Sequence, residues 1–167
     1  LEGVISNLLF GTLLVWSVLR NPFLALFPAW NEGMLSIIFG IHNLFTCFGL
    51  MAGGWLCSRF PTRRIYLLYM IMTIIGLVGF AFLPEAHPKL AYLMAAGFFW
   101  LAATGIGIGI NVIQSTTIPW FPNNSGAISG ALYMALGVSS VGLAALARFL
   151  LPRIGVKLVL PSFAVIV

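Results

Sequence analysis

Charge is what this chain of 167 residues has least of: Asp, Glu, Lys and Arg together make up 7% of it, against roughly 25% in a soluble domain. With 61% hydrophobic residues and a mean hydropathy of +1.10, no water-facing surface can be built around a core. Acidic groups are the scarcest. Glu2, Glu32 and Glu85 all flank apolar runs, so no carboxylate stands mid-span to relay a proton. Cysteine is nearly absent too, and Cys47 and Cys57 lie ten residues apart, about 15 Å along one helix. They cannot bond to each other, and without metal-ligand spacing they read as packing residues. Neither a metal cluster nor a nucleophile with its base is visible, which argues against an enzyme and leaves no cofactor to assign.

What remains is apolar sequence in long runs. Crossing the hydrocarbon core takes about 20 apolar residues, and the chain offers runs at about 4–21, 33–57, 65–83, 90–118 and 127–146, with the start of a sixth at 158. It is therefore expected to be an all-α, multi-pass membrane protein. The net charge of +5 is spread over span ends instead of clustering on one polar face, which points to lipid headgroups and away from nucleic acid. The chain begins with Leu1, and 158–167 is too short to span, so a fragment cut at both ends is expected.

Helix ends and polar faces follow from local chemistry. Pro22, which lacks an N–H, is expected to close the first span; Thr12, Trp16 and Arg20 share one face of it. Phe23 to Trp30, broken by Pro28, suits an interfacial link, and Asn31 an N-cap with Glu32 in the first turn. His42, Asn43 and Thr46 lie deep in the second span, where Gly49 and Gly53 form a small-x-x-x-small contact motif. His42 is the one titratable side chain deep in a span and reads as a packed neutral histidine. The third span has almost no polar side chain, and the link Pro84 to Lys89 leaves Glu85 and His87 as solvated loop residues. In the fourth span the run GIGIGI from Gly105 lies inside an apolar helix, so its glycines are helix contacts and not a phosphate loop. Thr104, Asn111, Gln114 and Ser115 make a polar stripe there, expected to line a path through the membrane. Trp120 to Gly126 is a turn by composition, and Ser129, Tyr133, Gly137 and Ser140 share a face of the fifth span. A short echo between Ser58–Ile65 and Ala147–Ile154 falls after the second helix of each of two triplets, as inverted repeats require.

Two segments resemble known transporters. Gly53 to Arg64, GGWLCSRFPTRR, resembles the loop between the second and third helices of the major facilitator superfamily, with Gly54, Arg59, Arg63 and Arg64 on the G-x-x-x-D-R-x-G-x-R-R pattern. Ser58 stands where the pattern has Asp, and Pro61 where it has Gly. Gly105 to Gly137, with its glycine-rich helix, Asn111, W-F-P turn and S-G, is similar to the fourth and fifth helices of the oxalate/formate antiporter and monocarboxylate transporter group; VWSVLRNPF resembles that group's first helix. The resemblance implies the N-terminal six-helix half of a major facilitator bundle, its sixth helix truncated, with residues 1–167 one transmembrane half. It also implies a partner in an absent C-terminal half, a plasma or inner membrane location, and secondary transport of a small carboxylate by alternating access. Trp16, Arg20, Asn111, Gln114 and Tyr133 are then the expected solute contacts, and Gly54, Ser58, Arg59, Arg63 and Arg64 the gating loop. The alternatives are a carrier of the same fold for an amino acid or sugar, and a non-transporting receptor on that fold.

Orientation divides the two lines of reasoning. Arg59, Arg63 and Arg64 lie on one side and Arg20, Lys89, Arg148, Arg153 and Lys157 on the other, so the positive-inside rule puts the arginine loop outside, whereas the resemblance implies a cytoplasmic loop. The cytoplasmic placement is the expected outcome. A cysteine at Thr62, in a full-length protein otherwise free of cysteine, should stay unlabelled by an impermeant thiol reagent added outside cells; labelling from outside reverses the orientation.

Overall fold

The structure is a computed structural model, which describes residues 16–84, 87–155, 158, 159 and 162. Among them the chain is all-helical: α1 (Trp16–Leu26), α2 (Glu32–Cys57), α3 (Thr62–Gly79), α4 (Pro88–Thr117) and α5 (Ser125–Ile154), with single 3-10 turns at Phe80–Phe82, Ile118–Trp120 and Pro122–Asn124. α2 to α5 are each long and apolar enough to cross a membrane, which fits an all-α membrane protein. Thr12, Glu2, Glu85 and Lys157 lie outside the described residues, as does most of the expected sixth span.

Local chemistry sets several ends. Asn31 caps α2, its side-chain oxygen accepting from the Met34 N–H at 2.7 Å, and Pro61 in extended backbone opens α3. Pro22, by contrast, does not end the first helix. α1 runs through it to Leu26, held by Leu19 and Phe23, both wholly buried, whose packing offsets the lost hydrogen bond. The segment after it is core and not an interfacial link: Phe27 and Trp30 are buried, stacked at 4.3 Å, and the Trp30 indole donates to the Pro88 carbonyl at 3.0 Å. The two halves of the sequence echo also differ. Ser58–Pro61 turns between helices, whereas Ala147 and Pro152 both lie inside α5.

α4 is the centre of the packing. In its apolar window 61% of residues are buried, against 22–39% in the other three long helices. It is gripped from two sides, and its glycines make this possible. At about 100° per residue, positions two apart point in nearly opposite directions. Gly105 accordingly faces α3, where an added Cβ would lie 2.7 Å from the Thr73 hydroxyl and 3.0 Å from Met72 Cβ. Gly107 faces α2, where a Cβ would meet the Thr46 carbonyl and lie 2.9 Å from Gly49 Cα. Each partner helix answers with small residues of its own: Gly49 and Gly53 on α2, Gly76 on α3, where a Cβ would lie 2.6 Å from Ala102 Cβ. Hydrocarbon gives no hydrophobic drive between helices, so such close backbone approach supplies the association energy.

Two apolar clusters fill the space at opposite ends. One gathers Trp16, Phe23, Phe27, Trp30, Phe80 and Phe99; the other gathers Ile65, Tyr69, Ile106, Ile110, Ile113 and Leu132. α5 touches the rest more sparsely and leaves Met134, Val138, Val141 and Phe149 exposed.

Gly107→Val should therefore cost about 1–3 kcal/mol through overpacking. Gly97→Ala, where nothing lies within 4 Å, should be neutral or gain about 0.5–1 kcal/mol. Thermal unfolding of the detergent-solubilised protein reads both, and equal stability of the two variants contradicts the seam.

Candidate functional site

Most hydroxyls in the long helices are spent on their own backbone. Thr46, Thr73, Thr104 and Ser129 each donate to the carbonyl four residues earlier at 2.8–3.0 Å, and Ser115 does the same to Asn111 at 2.8 Å. This is the local alternative open to short hydroxylated side chains. It removes them from the pool of groups left to meet a ligand.

The expected stripe on α4 faces α2. An added Cβ at Gly49 would meet the Thr104 carbonyl, and one at Gly53 would lie 2.9 Å from Asn111 Cβ, so Thr104 and Asn111 sit in a helix–helix contact. The Asn111 amide reaches the edge of that contact, 3.7 Å from a Cβ placed at Gly54, and its side-chain oxygen accepts from Ser115 at 3.1 Å. Gln114 is half-buried and Tyr133 is 55% exposed. Their neighbours Ile113 and Leu132 share one apolar cluster, so the two lie toward the same end. No hydrogen bond holds either polar group among the described residues.

Trp16 is elsewhere. It is buried against Phe99 at 4.6 Å and Phe23 at 5.8 Å, and Phe99 precedes Asn111 by about 18 Å along α4. The structure does not bring Trp16 together with Asn111, Gln114 and Tyr133. Arg20 is half-buried and pairs with Glu32 at 2.9 Å, while its Nε is buried without a hydrogen-bond partner.

His42, also buried, lies between α2 and α4, its ring 4.1 Å from that of Phe99. The Phe99 carbonyl can only accept, so the contact at 3.1 Å fixes the hydrogen on Nδ1 and leaves Nε2 as a bare, unpartnered acceptor. Among the described residues no group of His, Cys, Asp or Glu is placed to hold a metal.

Of the arginine hairpin, Gly54, Ser58, Arg59, Arg63 and Arg64 are all exposed. Ser58 donates to the Trp55 carbonyl at 2.7 Å, and the Arg59 guanidinium lies over the Trp55 ring at 4.8 Å.

A second polar line emerges on α2. Glu32, Ser36, Gly40, Asn43, Cys47 and Gly54 are all exposed, at helical spacings that put them on one face, with the exposed Met51 between the last two. From Glu32 to Gly54 is about 33 Å at the helical rise, close to the roughly 30 Å of a hydrocarbon core. The Arg20–Glu32 pair stands at one end and the Asn111 amide at the other. Asn43 donates to the Phe39 carbonyl at 2.9 Å, leaving its amide oxygen open. Ser36 donates to the Glu32 carbonyl at 2.8 Å, so the groups that lipid tails leave unsatisfied are the Asn43 amide oxygen and the Glu32 carboxylate, and these belong against water or protein. The spacing of 36, 40, 43 and 47 is legible in the sequence; their shared exposure is not.

Comparison with protein-family models, curated proteins and solved structures finds no match to this chain.

In a Cys57→Ser protein, Cys47 should react with a water-soluble maleimide, because the reactive thiolate forms only where water reaches. Reaction with a membrane-soluble reagent alone would assign this face to lipid.

Proposed function

We propose that the chain is the N-terminal half of a major facilitator superfamily carrier, moving a small carboxylate across a plasma or inner membrane by alternating access. The observation that carries this reading is the α2 stripe: exposed polar and small residues from Glu32 to Cys47, resumed at Gly54 beyond Met51, with a half-buried arginine at its start. The resemblance of the Gly53–Arg64 hairpin supports the superfamily.

Arg20 is the anion-binding group in this reading. Its pairing with Glu32 is solvent-exposed on the carboxylate side, with Glu32 73% accessible, and such pairs are worth about 0–1 kcal/mol. A solute carboxylate can therefore displace Glu32 from the guanidinium cheaply and take over its charge-assisted hydrogen bond. Asn43 and Cys47 lie midway along the route, and Asn111, Gln114 and Tyr133 hold the solute near the other end. Trp16 closes the inner wall by packing. Rocking against the C-terminal half would expose the stripe to each side in turn, with Arg59 and Arg63 of the hairpin making ion pairs to that half in one state only.

Uptake into proteoliposomes by the full-length protein tests this. Oxalate, formate or lactate should compete with one another; Arg20→Gln should weaken apparent affinity about ten-fold, the loss of a charge-assisted hydrogen bond; and Asn43→Leu should slow uptake while leaving thermal stability nearly unchanged. Competition by a neutral sugar or amino acid alone would keep a carrier and reject the anion, and solute binding without any uptake would favour a receptor.

A further inference from the structure

At the hairpin between α2 and α3 the chain leaves a groove of about 260 Å³ lined by Leu56, Phe60, Arg64, Ile65 and Leu68. Its size is below the roughly 300–1,000 Å³ of a site for a whole drug-sized solute. Its layout is amphipathic in one direction. Arg64 stands in the first turn of α3, and Leu68, one turn on, lies about 6 Å farther from the hairpin on the same face. Charge is therefore at the helix ends and hydrocarbon surface lies beneath it.

The hairpin also lacks a counter-ion. Glu32 is the sole acidic residue among those described; it pairs with Arg20 at the far end of α2, about 38 Å from Cys57 by the helical rise. Arg59 is held over Trp55, while Arg63 and Arg64 are exposed with no carboxylate in reach among the described residues. Trp55 and Phe60 are half-exposed beside them, as aromatic side chains are at the headgroup level.

We propose that this groove is a binding site for an anionic phospholipid, its phosphate on Arg64 and one acyl chain laid over Leu56, Phe60, Ile65 and Leu68. The charge of the hairpin selects the headgroup, and the apolar floor distinguishes a lipid from a dissolved anion. The site requires a bilayer around the helices but does not depend on what the protein transports, so its test reads lipid occupancy and not uptake.

The full-length protein is purified from a mixed phosphatidylglycerol–phosphatidylcholine membrane, and retained lipids are counted by native mass spectrometry. The wild type should hold phosphatidylglycerol in preference to phosphatidylcholine. Arg64→Gln should lower that occupancy about five-fold, as expected for one basic group at a membrane surface. Leu68→Trp, at a position 41% exposed, fills the groove with charge intact and should lower occupancy comparably. Millimolar inorganic phosphate should displace nothing. Unchanged occupancy in both variants overturns the site; loss in Arg64→Gln but not in Leu68→Trp reduces it to diffuse surface charge; and displacement by phosphate makes it an anion site without a lipid.

Discussion

Everything in this fold depends on how closely two helices can approach α4. Inside hydrocarbon, burying apolar side chains gains nothing over leaving them in lipid, so association rests on dispersion contacts between tightly apposed backbones. Gly105 and Gly107 permit that approach on two sides of one helix, and Gly49, Gly53 and Gly76 answer from the facing helices. Packing from both sides makes α4 the buried axis of the unit, and α2 and α3 need little contact with each other despite being consecutive in sequence.

The same seam decides which polar groups are available for function. Where the backbones meet, Thr104 and Asn111 are drawn into the interface, and the hydroxyls along the helices are satisfied by their own carbonyls. Polar character in a membrane helix is thus often consumed locally. What is left over is more informative: the open side of Asn43, the Arg20 guanidinium held by an exposed Glu32, and the amide and hydroxyl of Gln114 and Tyr133. α2 turns its glycine face to α4, and the flank about 120° round the helix, which stays open, carries the line from Glu32 to Gly54. Packing and the candidate path are two faces of one helix.

For the arginines at both ends the logic is electrostatic. Arginines in a chain with almost no acidic residues find aromatic rings, water or lipid. Arg59 over Trp55 and Arg153 over Phe149, at 4.8 and 4.1 Å, show the first of these solutions, in which a ring face stands in for a missing carboxylate.

Composition and apolar run length were enough to establish an all-helical chain suited to a membrane, and single residues marked helix starts where the chemistry is local, as with Asn31. These features depend on a residue and its near neighbours alone. The fate of Pro22 was not legible, because a proline ends a helix only if nothing distant outweighs the lost hydrogen bond, and Phe23 is held by Trp16, Trp30 and Phe80. Nor was the direction of the polar stripes: periodicity says which residues share a face, but only the position of the neighbouring helices says whether that face meets glycine, lipid or an open path. Tertiary structure turned Thr104 and Asn111 inward and Asn43 outward for that reason, since the closest backbone contacts fix how each helix is rotated and every side chain then follows.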